Sequence, residues 1–177
     1  MHVDITRVAD LTPADRDTLR ALTVAVYPPE VAPRPGPRVV WAPVEWSIRV
    51  WDEAGALVSH VGVLSREVLM DDVPTVIGGI GSVKTHPAAR GKGYASAGLR
   101  EAVRFFTDEL WVAFALLVCL PPIVPYYARH GWQRFHGTLL VAQPGGTVPF
   151  TTNLPMVLPI HTPTPAGGTI DLCGAPW

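Results

Sequence analysis

Lysine is almost missing from this chain of 177 residues: only Lys84 and Lys92 occur, and both fall in one short stretch. Lysine and arginine together number 14 against 15 acidic residues, for a formal net charge of −1. That balance excludes the basic stripe of a nucleic-acid-binding protein and the charged face of a membrane-surface one. Cysteine is also scarce. Cys119 and Cys173 stand far apart and form no metal-ligand spacing, so no metal is expected, and both read as free thiols of a cytoplasmic protein, with a disulfide as the alternative. No apolar run approaches the roughly 18–20 residues that a membrane span needs. The longest, Trp111 to Leu120, has the length of a strand. The start, "MHVDITRVAD", lacks the charged and apolar regions of a signal peptide. What is abundant is apolar surface: 48% of residues are hydrophobic and 16% charged, a globular composition with one sizeable core. A single domain over 1–177 is expected.

The hydrophobic pattern alternates between strand and helix. "HVDITRVAD" reads as a first strand. "LTPADRDTLRALTVAVY" reads as a helix: Thr12 caps it, Pro13 takes its first position and Asp15 completes a capping box. The proline-rich "YPPEVAPRPGPRVVWAP" reads as a long loop. From Trp46 to Thr85, three alternating runs separated by turn signals at Glu53–Gly55 and Asp71–Pro74 predict a meander. "YASAGLREAVRFFTDE" carries Leu99, Val103 and Phe106 on one face of a predicted helix. "LWVAFALLVC" has no polar face and reads as a buried, parallel strand. "PPIVPYYARHGW" reads as a short helix ended by Gly131. The Pro-, Gly- and Thr-rich remainder holds one strand-like run, "MVLPI".

The stretch "SVKTHPAARGKGYASAGLREAVRFF", Ser82 to Phe106, joins a strand to a helix through Arg90, Gly91, Lys92 and Gly93. A helix start leaves backbone N–H groups unpaired, and its dipole favours negative charge. Glycines let the backbone approach a ligand and take positive φ. Arg90 and Lys92 add charge, so the turn suits a phosphate or pyrophosphate. It lacks the GK[ST] ending of a nucleotide-hydrolysing loop. Set beside this reading, a basic turn that merely caps a helix remains open.

Arg90-x-x-Gly93-x-Ala95, preceded by "GSVKTHP" and followed by an amphipathic helix, resembles the acetyl-CoA motif of the GCN5-related N-acetyltransferases (GNAT). "AFALLV" and "PYYARHGW" resemble that family's next strand and helix, and the resemblance covers residues 1–141. It implies an α/β (α+β) fold with a mixed, mostly antiparallel sheet of six to seven strands flanked by helices. Residues 142–177 would close the acceptor site. Within the family the chain is most similar to the aminoglycoside 2'-N-acetyltransferase branch, through His60 to Ala95, "MVLPI" and the ending "CGAPW". The implied activity is transfer of acetyl from acetyl-CoA, as co-substrate, to a primary amine of a small molecule, such as an aminoglycoside or another antibiotic. The rival readings are a peptide or protein N-terminal acetyltransferase and a non-catalytic CoA- or antibiotic-binding protein. No nucleic acid and no membrane is implied as partner, and a homodimer stays open.

Residue by residue, the resemblance implies that Val83, Lys84 and Thr85 pair through their backbone with the pantetheine arm. The N–H groups of Gly91, Lys92, Gly93, Tyr94 and Ala95 would hold the pyrophosphate beside Arg90. A backbone N–H near Val83 would serve the oxyanion. Tyr127, with Tyr126 as its competitor, would protonate the leaving thiolate; a phenol near pKa 10 and a thiol near 8.5 are close in acidity. The chain departs from the aminoglycoside branch at Gly81, where that branch carries an acidic residue able to act as base. Few acids lie where a polycation would bind: Glu30 and Glu45 in the first loop and Asp171 near the end. Glu45 is the remaining base candidate. Trp41, Glu45, Gly81 and Trp177 are expected to line the acceptor site, favouring an apolar acceptor. His60 reads as a core histidine, while His86 and His130 stand near element ends.

Overall fold

In a computed structural model describing residues 1–29 and 38–177, two long strands form the spine, β3 (Leu57–Met70) and β4 (Val73–Thr85). The turn between them holds Asp71 and Asp72 at positive φ, 47° and 66°, which short polar side chains tolerate in hairpin turns. β1 (His2–Arg7) and β2 (Trp46–Trp51) extend the sheet antiparallel from the first half of β3. β5 (Phe114–Cys119), the continuous apolar run, lies parallel to β4. Glu30, in the loop after the first helix, lies outside the described residues.

Among the described residues the sheet holds ten strands, more than the six to seven that the resemblance implies. The excess comes mainly from short strands in the Pro- and Gly-rich end of the chain. β6 (Gln133–Arg134) is two residues long; β7 (Thr138–Gln143) and β8 (Gly146–Pro149) form a hairpin. β9 (Leu154–Pro159), which contains "MVLPI" except its final Ile160, pairs antiparallel with β5 over its whole length. β10 (Thr169–Asp171) inserts between β3 and β7. Pairing is antiparallel except for β4 with β5 and β10 with β7.

Helices cover both faces. α1 (Pro13–Val26) begins with the anticipated capping box: Asp15 N–H donates to Thr12 Oγ1 at 3.1 Å, and Thr12 N–H donates to Asp15 Oδ2 at 3.0 Å. α2 (Tyr94–Phe105) lays Leu99 and Ala102 on the core formed by Ile48, Val61, Val63 and Ile80, and continues as a π-helical turn, Phe106–Leu110. α3 (Val124–Ala128) adds Tyr127 to that core. On the opposite face Leu64, Val68, Ile77, Leu116 and Trp177 form a second core. The glycines of "IGGIGSV" serve the two faces in turn. A Cβ at Gly78 would stand 2.5 Å from the Phe106 ring, and one at Gly79 would overlap the Trp177 indole.

Candidate active site

β4 and β5 pair only over Gly78–Ile80 with Ala115–Leu117. Beyond this the strands part. The cause is local: the β3–β4 register shifts between His60 and Gly62, and Ser82 takes φ 52°, the geometry of a β-bulge. The bulge is pinned from below. His60, 5% exposed, lies 3.0 Å through Nδ1 from the Ser82 carbonyl, so Nδ1 carries the proton and donates. Desolvation pushes the imidazole down to about 4, which keeps it neutral. Val83, Lys84 and Thr85 follow the bulge. Ser59↔Thr85 and His60↔Lys84 pair on the β3 side, and the other edge faces the opened gap toward β5.

The glycine turn lies at the end of this edge. Pro87–Ala89 form a 3₁₀ turn, and Gly91 and Gly93 take φ 76° and 84°. Nothing lies within 4 Å of a Cβ built at either, so the requirement for glycine here is backbone conformation, with open space above it. The first helical bond runs from Ala97 N–H to the Gly93 carbonyl, 3.0 Å, and the N–H groups before it have no partner inside the helix. Arg90 is exposed with Nε 3.4 Å from the Thr85 carbonyl, and Lys92 is exposed beside it. Open N–H groups, a helix N-terminus and the exposed cations Arg90 and Lys92, which pair with no carboxylate among the described residues, form a seat that fits a pyrophosphate.

Two tyrosines lie on α3, which follows β5. Tyr127 is 7% exposed, and its burial, with Cys119, Tyr126 and Tyr27 nearby, raises its pKa well above the ordinary phenol value. It stays protonated at neutral pH, as a proton donor must. The same burial raises the Cys119 thiol, so a thiol in this environment is shifted in the same sense. Tyr126 is engaged elsewhere: its hydroxyl lies 3.3 Å from Ser96 Oγ in the first turn of α2, and Ser96 Oγ lies 3.0 Å from His130 Nε2.

On the α1 face, Gly62 and Gly81 sit opposite one another in β3 and β4. Val44 closes over Gly62, 2.6 Å from a Cβ built there, and the Trp177 main chain stands 3.0 Å from one built at Gly81. The structure thus brings Gly81 and Trp177 together. The Trp177 indole, however, is 5% exposed; it donates from Nε1 to the Leu116 carbonyl at 3.1 Å and has Arg66 over its ring. Trp41 points elsewhere, 46% exposed and edge-on to Phe150 at 5.9 Å. The link between the two tryptophan segments is Ala42 N–H to the Pro176 carbonyl, 2.6 Å. Glu45 is exposed and lines a cavity of about 500 Å³ with Arg7, Val8, Ala9, Arg16, Val44 and Trp46. Asp171 lies in β10, where Oδ1 accepts from Cys173 N–H at 2.8 Å.

A family profile described as an acetyltransferase (GNAT) domain matches residues 7–135, most of the chain. The chain belongs to the GNAT acetyltransferase family. As a GNAT acetyltransferase it uses acetyl-CoA as co-substrate. Solved structures agree in fold. ElaA of Escherichia coli superposes with TM-score 0.61 at 17% identity, over 89% of this chain and 98% of that one. An acyl-CoA N-acyltransferase from Pseudomonas aeruginosa gives 0.59 at 17%, over 89% and 98%. A GNAT family acetyltransferase from Brucella melitensis, in complex with acetyl-CoA, gives 0.56 at 18%, over 96% and 94%. Among proteins of curated function none matches. Among the described residues, no group of three or more His, Cys, Asp or Glu could hold a metal, and no helix is long and apolar enough to cross a membrane.

His60 is the residue whose part the sequence concealed. Its strand position reads as core, and it is core. Its bond to Ser82 depends on a bulge across the hairpin that no local pattern announces.

Proposed function

We propose that this GNAT protein transfers acetyl from acetyl-CoA to the primary amine of a small molecule with an apolar body. The observation that carries the reading is the gap between β4 and β5, with one free strand edge and a glycine turn suited to an anion at its end, beside the buried Tyr127 of α3. In this reading Val83, Lys84 and Thr85 pair through their backbone with the pantetheine arm. The N–H groups of Gly91 to Ala95, with Arg90 and Lys92, take the pyrophosphate. The amine nitrogen bonds to the acetyl carbonyl carbon while the C–S bond breaks. The Val83 N–H stabilises the oxyanion. Tyr127 gives its proton to the departing thiolate, and the proton lost by the amine goes through water toward Glu45. Gly81 and Trp177 bound the acceptor side, the latter mainly through its backbone, while Trp41, turned toward Phe150, lies outside it.

Few acids face that side, so aminoglycosides with several ammonium groups are poor acceptors in this reading. Each hydrogen-bonded charge pair they would need is worth about 1.5–3 kcal/mol. Thiol release over a panel of amines at fixed ionic strength tests it. Turnover of mono-amines carrying a ring or alkyl group supports the reading. Efficient acetylation of several aminoglycosides, falling steeply as salt rises, overturns the acceptor class. Acetyl-CoA binding by titration, without turnover on any amine, would leave a binding protein.

A further inference from the structure

Three basic side chains form one row across β2, β3 and β4. Arg49 is opposite His60, and His60 is opposite Lys84. The bulge at Ser82 decides where Lys84 points: Val83 packs into the α2-side core, while the Lys84 side chain reaches α1 and donates from Nζ to Thr23 Oγ1 at 3.0 Å. The row is unevenly neutralised. Arg49 is held by Asp4, with Nε to Oδ1 at 2.8 Å, and by Asp15. His60 is neutral and uses Nδ1 on Ser82. Lys84 is half-buried, and among the described residues no carboxylate reaches it. Burial moves its pKa downward, and among the described residues no acid acts against it.

An ammonium carries three N–H donors, and withdrawing it from water without an anion is costly. The Thr23 hydroxyl satisfies one donor. Lys84 also belongs to the strand segment whose free edge faces the gap, and its side chain leaves that segment toward α1, on the face where Val44 closes over Gly62 and Trp177 lies against Gly81. In the acetyl-transfer reading the pyrophosphate of CoA sits at the glycine turn, while the Lys84 side chain points away from it toward α1. An acceptor that carries a negative charge would supply the counter-ion that no described residue provides.

We propose that Lys84 binds a carboxylate of the acceptor, so that the preferred acceptor is an amino acid with an apolar side chain, its amine and carboxylate on one carbon. The proposal rests on the acetyl-transfer reading above and narrows it. With the carboxylate held on Lys84, the amine is carried to within a few bonds of the gap, and a polycation is repelled by the same charge.

The test compares matched acceptors with and without the carboxylate: phenylalanine against phenethylamine, and leucine against isopentylamine. Thiol release is measured for each, with rates expressed per free amine. In the unaltered protein the amino acid should exceed its amine in kcat/KM by about 10- to 100-fold, the worth of one charge-assisted pair. Lys84→Met and Lys84→Gln should bring that ratio close to one, and Lys84→Arg should keep it above one. Circular dichroism and acetyl-CoA titration establish that each variant is folded and loaded. A ratio below one in the unaltered protein, or a ratio that Lys84→Met and Lys84→Gln leave unchanged, overturns the proposal. Turnover of the amines alone removes this proposal and leaves the acetyl-transfer reading standing. Turnover of neither member of any pair removes both.

Discussion

The Trp177 indole occupies the space that a side chain at position 79 would need. Gly79 is its seat, and its Nε1 is anchored to the Leu116 carbonyl of the neighbouring strand at 3.1 Å. Gly79→Ala should therefore destabilise the fold by about 1–3 kcal/mol through overpacking. Trp177→Ala should cost about 3–5 kcal/mol by emptying the same place. Because both act on one contact, the double variant should lose less than the sum. Urea unfolding of the four proteins measures this; strict additivity would mean that the indole yields freely to a methyl group.

Gly93 sits at φ 84° directly before α2. Gly93→Asp should abolish acetyl-CoA binding, because it strains the turn and puts a carboxylate where a pyrophosphate is to sit. Gly93→Asn isolates the charge, since asparagine tolerates the same backbone region better than most residues. It should bind more weakly than the unaltered protein but measurably. Unchanged affinity of a folded Gly93→Asp protein would reduce the turn to a helix cap.

Tyr127→Phe should lower kcat by about 10²-fold with little change in acetyl-CoA affinity. Tyr126→Phe, which loses only the contact with Ser96, should have a small effect on kcat. The reverse pattern would assign the acid to Tyr126.

His60 gives the fold an acid-sensitive joint. Its pKa is about 4 in the folded protein against 6.5 for the free group, so the unfolded chain binds more protons between these values. Its contribution to stability is complete above about pH 6.5 and is lost as pH falls toward 4, by roughly 3 kcal/mol in all. His60→Gln keeps a polar partner for Ser82 and cannot titrate. The stability difference between the two proteins should change over that window and be flat above it. A difference independent of pH from 4 to 7 would contradict a neutral buried imidazole.

The parts of the fold that could be read in the sequence are those whose cause is local. The capping box at Thr12 and Asp15, the hairpin turn at Asp71–Asp72 and the glycine turn at Arg90–Gly93 each need only their neighbours in the chain. The apolar run of β5 discloses a parallel strand because both faces are buried. The rest depends on partners distant in sequence. β6, β8 and β10 are two to four residues long and rich in no particular residue; they become strands because an edge is waiting for them. Lys84 reads as backbone alone until the bulge at Ser82 turns its side chain toward α1. Gly81 reads as a lost acid, yet its missing side chain is also what admits the main chain of Trp177.

The placement of β10 and Trp177 has a kinetic consequence. They complete a sheet whose β3–β4 hairpin is made nearly a hundred residues earlier in synthesis, and contacts so far apart in sequence form slowly. Until they arrive, Ile77, Leu116 and the seat at Gly79 present a greasy, half-finished surface to the cell. In refolding experiments the burial of Trp177 should lag behind formation of the α2-side core. A tryptophan signal confined to position 177, with the other five replaced by phenylalanine, would time that last closure.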